Sequence, residues 1–147
     1  MTKEFGSLVE AAREVRLRSY SPYSKFRVGA ALLAKSGSVY QGTNVENASI
    51  GLSICAERAA IFRAVAAGEV DFTAIAICAD GADPTLPCGA CRQVLLEFAP
   101  DLTVLVAGDQ GIDGEVRQFA LRELIPHAFE TFQDNIATDS GDRGVVS

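Results

Sequence analysis

Three cysteines in two separate segments constrain the fold of this chain more than any other feature. Cys55 opens the segment Cys55-Ala56-Glu57-Arg58, and Cys88 and Cys91 lie in the later segment Pro87-Cys88-Gly89-Ala90-Cys91. Thiolate sulfur is a preferred ligand of Zn²⁺, and two cysteines spaced Cys-x-x-Cys are typical of zinc sites. A fold that lets all three thiols share one ion must bring these two segments together.

Both segments are predicted to begin helices. Strong helix formers run over residues 55–67 and stop at Gly68, and a second helical pattern covers residues 89–99. Cys88 and Cys91 stand at i and i+3 where this second helix begins, so their sulfurs can point to one side. The positive ends of two helix dipoles would then meet at the thiols and favour the thiolate form.

The rest of the chain predicts one layered α/β domain. The hydrophobic pattern indicates a helix over residues 2–19, strands over 27–35, 39–44, 71–79 and 102–107, a weaker strand over 115–120, and a short helix over 121–125. One hairpin leads into two strand–helix–strand crossovers, so the sheet should be mixed.

Length and composition fit a single domain followed by a tail. A chain of 147 residues with 48% hydrophobic residues can bury a core without help from a metal or a disulfide. From Gln133 the sequence becomes polar, and residues 133–147 are predicted to be disordered. The catalytic domain is therefore expected over residues 1–132.

Charge and cysteine usage narrow the class of partner. The net charge is −6 and the sequence has no Lys/Arg run, which argues against a nucleic-acid polymer as the partner. The N-terminus has no apolar signal segment, and no apolar run is long enough to span a membrane. A cytoplasmic location is expected, where thiols stay reduced and clustered cysteines act as metal ligands.

The residues beside the cysteines suggest a catalytic zinc centre. Three protein ligands leave a fourth position open for water, which is the pattern of catalytic sites. Glu57, two residues after Cys55, is placed to accept and later donate a proton. Zinc with three thiolates carries a formal charge of −1, so a cation should hydrogen-bond to the sulfurs. Arg58 is the favoured candidate and Arg92 the second.

A closed structural zinc site is the main alternative from spacing alone. Either Cys78 or His127 would have to supply the fourth ligand. Cys78 falls in a predicted buried strand, where a cysteine is an ordinary small core residue. His127, directly after Pro126, is expected at a helix end or an interface.

The cysteine segments together resemble the small homotetrameric cytidine deaminases. The resemblance rests on Cys55-Ala56-Glu57-Arg58 and on the run from Pro87 to Gln93, which match a zinc-deaminase signature with three cysteines and a Glu that is not a ligand. It continues through residues 23–26, 44–48 and 124–129, so it covers roughly residues 8 to 130.

This resemblance implies a fold, a reaction and a set of site residues. The implied fold is a three-layer α/β/α domain with a mixed five-stranded sheet, one Zn²⁺ per chain and active sites shared within a homotetramer. The implied reaction is hydrolytic deamination of cytidine and 2′-deoxycytidine to the uridines in pyrimidine salvage. The implied zinc ligands are Cys55, Cys88 and Cys91, and Glu57 is the implied proton carrier. For the substrate, the resemblance implies that Asn44 and Glu46 hold the ribose hydroxyls and that Phe26 packs against the pyrimidine. It also implies that the backbone around Ala56 contacts the ring substituents and that Phe129 reaches the base in a neighbouring subunit's site.

One position departs from the family pattern. Family members commonly carry a tyrosine where this chain has Ile50, which cannot donate a hydroxyl hydrogen bond. An aminohydrolase of N4- or sugar-modified cytosine nucleosides is therefore the alternative function. A polynucleotide editor is disfavoured by the acidic charge, and a non-enzymatic zinc-stapled module is disfavoured by Glu57.

Overall fold

The computed structural model describes residues 1–130. Its helices and strands, in chain order, are α1 (Lys3–Val15), β1 (Val28–Ala34), β2 (Val39–Thr43), α2 (Ala56–Ala66), β3 (Phe72–Ala79), α3 (Gly89–Phe98), β4 (Thr103–Ala107), β5 (Val116–Ala120) and α4 (Leu121–Leu124). The predicted helices and strands are confirmed, and α1 continues as a 3₁₀ turn over Arg16–Arg18. The predicted tail, residues 133–147, lies outside the described residues.

The strands form one mixed sheet in the order β2-β1-β3-β4-β5. β1 pairs antiparallel with both β2 and β3, β3 pairs parallel with β4, and β4 pairs antiparallel with β5. β1 and β3 are apolar and buried along almost their whole length, because helices cover both faces of the sheet centre. The predicted mixed five-stranded sheet is confirmed.

Two hydrophobic clusters make the fold three layers thick. On one face of the sheet, α1 supplies Leu8, Val9 and Ala12 to a buried cluster. On the other face, α2, α3 and α4 pack their apolar side chains into a larger buried cluster. The α/β/α layering implied by the resemblance is confirmed. No helix within residues 1–130 has the length and apolar character that crossing a membrane requires.

Two glycines let helices lie directly on the strands. A Cβ at Gly29 in β1 would come 2.1 Å from the carbonyl oxygen of Ala12 in α1. A Cβ at Gly42 in β2 would come 2.4 Å from the backbone nitrogen of Ala60 in α2. No side chain fits at either point. The contact at Gly42 fixes how α2 sits on the sheet, and with it the residues that begin α2.

Topology brings the two cysteine segments to one edge of the sheet. β2 and β3 both run antiparallel to β1, so they run parallel to each other. α2 follows the carboxyl end of β2, and α3 follows the carboxyl end of β3. Both helices therefore begin at the same edge, which is also where β1 starts. Ligand sites of open α/β sheets form at this edge.

Candidate metal centre and active site

The three predicted cysteine ligands meet where α2 and α3 begin. Cys55 is the residue that caps the N-terminus of α2, and Cys88 is the corresponding residue of α3. Cys91 is buried one turn into α3. The Sγ atoms of Cys55 and Cys88 lie 3.8 Å apart, and those of Cys88 and Cys91 lie 3.5 Å apart. All three sulfurs lie within 4.8 Å of one another.

This cluster fits one zinc ion per chain. Zinc–sulfur bonds of about 2.3 Å at tetrahedral angles place sulfurs about 3.8 Å apart, close to the separations found here. Among residues 1–130, no other group of three potential ligands gathers in this way. Three thiolates leave one tetrahedral position for water or substrate, as in catalytic rather than structural zinc sites.

Arg58, the favoured candidate for the compensating cation, contacts the cluster. Its Nη2 donates a hydrogen bond to Cys55 Sγ at 3.4 Å. The pKa of the Cys55 thiol is lowered, first by a hydrogen bond with Cys91 and then, against the opposing effect of burial, by the one from Arg58. The same thiol contacts raise the pKa of Arg58 above its usual value. Helix N-termini add to this stabilisation of thiolate.

Glu57 is the buried carboxyl beside the cluster. It lies in the first turn of α2 and is only 4% exposed. Burial raises the pKa of this carboxyl, and the nearby charge of Cys55 raises it further. A carboxyl that gains a proton readily suits a group that must accept and return one. The side chain lines the cavity that opens next to the cysteines.

This cavity has a thiol side and a polar side. Its volume of about 330 Å³ lies in the range of small-molecule sites. Its lining includes Cys55, Glu57 and Cys88, which we call the thiol side, and Phe26, Asn44 and Glu46, which we call the polar side. The cavity therefore joins the metal centre to the residues that the resemblance assigned to the sugar, Asn44 and Glu46, and to the pyrimidine, Phe26.

Asn44 holds the backbone before β1. Its Oδ1 accepts hydrogen bonds from the backbone nitrogen of Val28 at 2.9 Å and from the hydroxyl of Ser19. Its Nδ2 donates to the carbonyl oxygen of Phe26 at 2.8 Å. An amide oxygen has two lone pairs and an amide nitrogen two hydrogens. Among the described partners, one N–H of Asn44 remains for a ligand.

Glu46 holds the neighbouring turn. Its Oε1 accepts from the backbone nitrogens of Tyr23 at 3.0 Å and Ser24 at 3.1 Å, and its Oε2 accepts from the Ser24 hydroxyl. The Ser24 side-chain hydrogen bond, followed by the backbone ones, lowers the pKa of Glu46. A carboxylate offers about four acceptor positions, so one remains beside these described contacts.

A match to a family model identifies the family of this chain. The model described as the cytidine and deoxycytidylate deaminase zinc-binding region matches residues 3–107, a span that includes all three clustered cysteines and Glu57. This chain belongs to that deaminase family.

Relatives along most of the chain agree with this membership. A cytidine deaminase of Halalkalibacterium halodurans is 48% identical over 122 residues, which cover 83% of this chain and 91% of the relative. The crystal structure of a cytidine deaminase from Burkholderia pseudomallei superposes with a TM-score of 0.80 at 48% identity, over 88% of this chain and all of the other. A blasticidin-S deaminase of Bacillus cereus is 35% identical, over 81% of this chain and 87% of the relative.

Two other predicted substrate residues of this family member also lie at the cavity. Phe26 is 38% exposed and lines the polar side. Ala56, fully buried at the start of α2, lines the thiol side. Phe129 does not lie among the lining residues; it is 59% exposed, and its carbonyl oxygen accepts a hydrogen bond from Gln93. Its predicted role, in a neighbouring subunit's site, stays a prediction.

Arg92 takes partners other than the predicted sulfurs. Its Nε donates to the carbonyl oxygen of Pro87 at 2.7 Å, and its Nη1 donates to the carbonyl oxygen of Leu124 at 2.6 Å. Arg92 therefore ties the cysteine loop before α3 to the end of α4. The expectation of a thiolate partner is corrected here, because the hydrogen bonds of this guanidinium within the described residues go to carbonyl oxygens.

The two candidates for a fourth zinc ligand lie elsewhere. Cys78 is buried in β3 within the cluster on the α1 face of the sheet, and its thiol donates to the carbonyl oxygen of Val9. Burial raises the pKa of Cys78 to about 12. His127 does not join the cysteine cluster and adopts a left-handed backbone with φ of 53°. The open three-cysteine site therefore agrees with the predicted spacing.

Several cavity residues were missed by sequence reasoning. Ser24, Ser53 and Thr85 bring side-chain hydroxyls to the cavity wall. Ser24 belongs to the segment that resembled the family, which was its only signal. Ser53 and Thr85 lie in loops, where Ser and Thr are ordinary turn residues. Ile50 lies in a 3₁₀ turn, is 67% exposed and is not among the lining residues.

Proposed function

We propose that this chain catalyses the zinc-dependent hydrolysis of cytidine and 2′-deoxycytidine to uridine and 2′-deoxyuridine, with release of ammonia. The observation that carries this proposal is the buried carboxyl of Glu57 beside a three-thiolate cluster with an open coordination position. Both face a cavity sized for a nucleoside rather than a polymer. Family membership and the names of the relatives support the same reaction.

Each residue has a part in this reaction. Zn²⁺ held by Cys55, Cys88 and Cys91 would lower the pKa of a bound water and so supply the nucleophile. Glu57 takes a proton from the attacking water and delivers it to ring N3. It then takes the second proton from the new hydroxyl on C4 and delivers it to the amine, which leaves as ammonia when the C4–N bond breaks. Burial raises the pKa of this carboxyl, so it accepts a proton from water more readily than an exposed glutamate would. Arg58 offsets the negative charge of the thiolates.

Hydrogen-bond capacity at the polar side supports both sugars as substrates. Asn44 retains one N–H and Glu46 one acceptor position beside their described partners. A hydroxyl that accepts from Asn44 and donates to Glu46 would use both groups at once. The pair can therefore serve one sugar hydroxyl fully. If this is the 3′-hydroxyl, the 2′ position has no hydrogen-bond partner at the polar side. Ribose and deoxyribose should then both be accepted.

Assembly and location are proposed on the family resemblance. We propose a homotetramer in which Phe129, exposed and outside the cavity of its own chain, reaches a neighbouring active site. A monomeric mass by sedimentation equilibrium would contradict this. Pyrimidine salvage in the cytoplasm is the proposed setting, since a reducing compartment keeps the three thiols available for zinc.

A second candidate is an aminohydrolase of N4- or sugar-modified cytosine nucleosides. Ile50 suggests it, because this side chain lacks the hydroxyl that the family pattern commonly provides there; since Ile50 lies outside the cavity of its own chain, it would act in a neighbouring subunit's site. The similarity to a blasticidin-S deaminase is consistent with such a range. Release of amine from an N4-substituted cytidine at background rate would remove this candidate and leave the first unaffected.

One assay tests the main proposal. Purified zinc-loaded protein is given cytidine, 2′-deoxycytidine and 3′-deoxycytidine, and loss of cytosine absorbance is followed together with ammonia release. We expect comparable kcat/KM for the first two and a loss of roughly tenfold or more for the third, since its missing hydroxyl leaves the free N–H of Asn44 and the free acceptor position of Glu46 without a partner beneath the bound substrate. Absence of ammonia from all three would refute the proposed activity, and equal rates on all three would refute the hydroxyl argument.

A further inference from the structure

The wall of the cavity that carries Phe26 is a strained segment. We call residues 23–28 the wall segment. Within it, Lys25 has φ of 59°, in the left-handed region that side-chain-bearing residues rarely adopt. Such a conformation persists only where the surroundings hold the chain firmly. The position of the Phe26 ring therefore depends on what holds its neighbours.

Cavity residues hold only part of this segment. The Phe26 amide donates to the Ser24 hydroxyl at 3.0 Å, and its carbonyl oxygen accepts from Asn44. The Val28 amide donates to the same Asn44 side chain. Arg27 lies between these two residues, and its backbone amide and carbonyl oxygen bind a different partner.

Asp80, which follows β3, binds both the backbone amide and the backbone carbonyl oxygen of Arg27. The Arg27 amide donates to Asp80 Oδ2 at 2.9 Å, and the Asp80 amide donates to the Arg27 carbonyl oxygen at 3.0 Å. The Arg27 side chain also donates through Nε to both carboxylate oxygens, at 3.0 and 3.2 Å. Asp80 itself is not among the residues that line the cavity.

The negative charge of Asp80 is needed at this point. Arg16, at the end of α1, donates from Nη1 to Asp80 Oδ1, and its side chain is only 8% exposed. One carboxylate thus serves two guanidinium groups and one backbone amide. An uncharged replacement would leave the buried Arg16 without its counter-charge. Asp80 joins α1, the start of β1 and the end of β3 behind the cavity wall.

We propose that Asp80 is a positioning residue for pyrimidine binding: it fixes the peptide next to Phe26 and so sets that ring at the cavity wall. This inference rests on the proposed function, in which Phe26 packs against the base. Asp80 does not touch substrate, so its effect falls on binding and not on proton transfer by Glu57.

The kinetic test is Asp80→Asn with Asp101→Asn as the matched control. Asp101 also pairs with an arginine, but its side chain is 93% exposed and distant in sequence from the wall segment. We expect Asp80→Asn to raise KM for cytidine about three- to tenfold with kcat within about twofold, the pattern of lost uniform binding. Asp101→Asn should match the wild type. Unchanged KM, or a fall in kcat with unchanged KM, would overturn the proposal.

A double-mutant cycle asks whether Asp80 acts through Phe26. In a Phe26→Ala background, Asp80→Asn should raise KM by less than about twofold, because the ring that it positions is gone. An equal KM effect with and without the ring would mean that Asp80 supports the fold in general and would overturn the proposal.

Two further measurements cover instability and the dependence on the proposed function. Asp80→Glu keeps the charge beside Arg16 but shifts the carboxylate by one methylene. This variant decides the matter if Asp80→Asn does not fold. A wild-type KM for Asp80→Glu then refutes the proposal, and a raised KM supports it. Amide hydrogen exchange needs no activity: Arg27 should lose protection in either variant while β4 keeps it, and unchanged Arg27 protection refutes the proposal. Failure of wild-type cytidine deamination refutes the proposed function alone.

Discussion

The two sides of the cavity are built in different ways. On the thiol side, Cys55 and Cys88 cap the N-termini of α2 and α3, and Glu57 lies in the first turn of α2, so backbone geometry of the helices places them. On the polar side, Asn44 and Glu46 lie outside the named helices and strands and hold a strained segment by side-chain hydrogen bonds. The first side depends on helix ends, and the second depends on a network of long-range contacts.

Because of this difference, substitutions on the two sides should affect different measured properties. A helix N-terminus keeps its geometry as long as the helix stays packed on the sheet, so changes on the thiol side should act on zinc and on chemistry. The wall segment loses its shape when one hydrogen-bonding partner is removed, so changes on the polar side should act on affinity. Variants on each side should separate effects on zinc and chemistry from effects on affinity.

The largest effect is expected from Cys88→Ala. Removing one of three thiolates should reduce bound zinc from one per chain to near none, measured by atomic absorption, and abolish deamination. Cys78→Ala, on the opposite face of the sheet, is the matched control and should retain zinc. Amide protection of the wall segment should survive in Cys88→Ala. Retention of one zinc per chain by this variant would invalidate the assignment of the thiol side.

The next effect is expected from Glu57→Gln. The amide keeps the size of the side chain but cannot exchange protons, so kcat should fall by roughly 10²- to 10⁴-fold. Zinc content, melting temperature and KM should stay near wild type, because helix geometry still places the residue. Glu97→Gln, an exposed change in α3, serves as control. A kcat within a few-fold of wild type would exclude Glu57 as the proton carrier.

The smallest effect is a pH-dependent stability difference on the polar side. Burial raises the pKa of Asp80, but the hydrogen bonds and charge of Arg27, with the charge of Arg16, outweigh it and leave the pKa below its usual value. A depressed carboxyl pKa stabilises the fold above the unfolded-state pKa, about 3.9 for Asp, and this contribution is lost as pH falls through the folded-state value.

Urea unfolding at several pH values measures this contribution. The difference in unfolding free energy between wild type and Asp80→Asn should be largest above about pH 4 and should shrink as the solution becomes more acidic. Comparing the two proteins at each pH removes effects common to both, such as loss of zinc to protonated thiols. A difference that grows on acidification would contradict the ion-pair description of Asp80.

Sequence reasoning predicted local contacts well and distant ones poorly. Arg58 follows Cys55 by three residues on a helix, so its contact with that sulfur could be predicted from helix geometry. Arg92 stands next to Cys91, yet its guanidinium binds the carbonyl oxygen of Leu124, 32 residues away in sequence. Nothing near Arg92 in the sequence identifies that carbonyl, because it depends on where α4 ends against α3.

The polar side shows the same limit. Family resemblance drew attention to Asn44 and Glu46, but not to the backbone groups that occupy most of their hydrogen-bonding capacity. No sequence pattern indicated a role for Asp80, since a carboxylate after a strand is an ordinary turn residue. Its two arginine partners come from α1 and from the start of β1, and only the assembled sheet places them together.

Local patterns in the chain were enough to predict the layered α/β fold, the helices that begin at the cysteines, and the grouping of Cys55 with Glu57 and of Cys88 with Cys91. These features follow from hydrophobic period and from spacing within one helical turn, which are local properties of the chain. The folded chain was needed to show which polar groups hold the wall segment at Phe26 and which carbonyl oxygens Arg92 binds. A buried polar group pairs with whatever donor or acceptor the fold leaves within reach, and that choice is made across the whole chain.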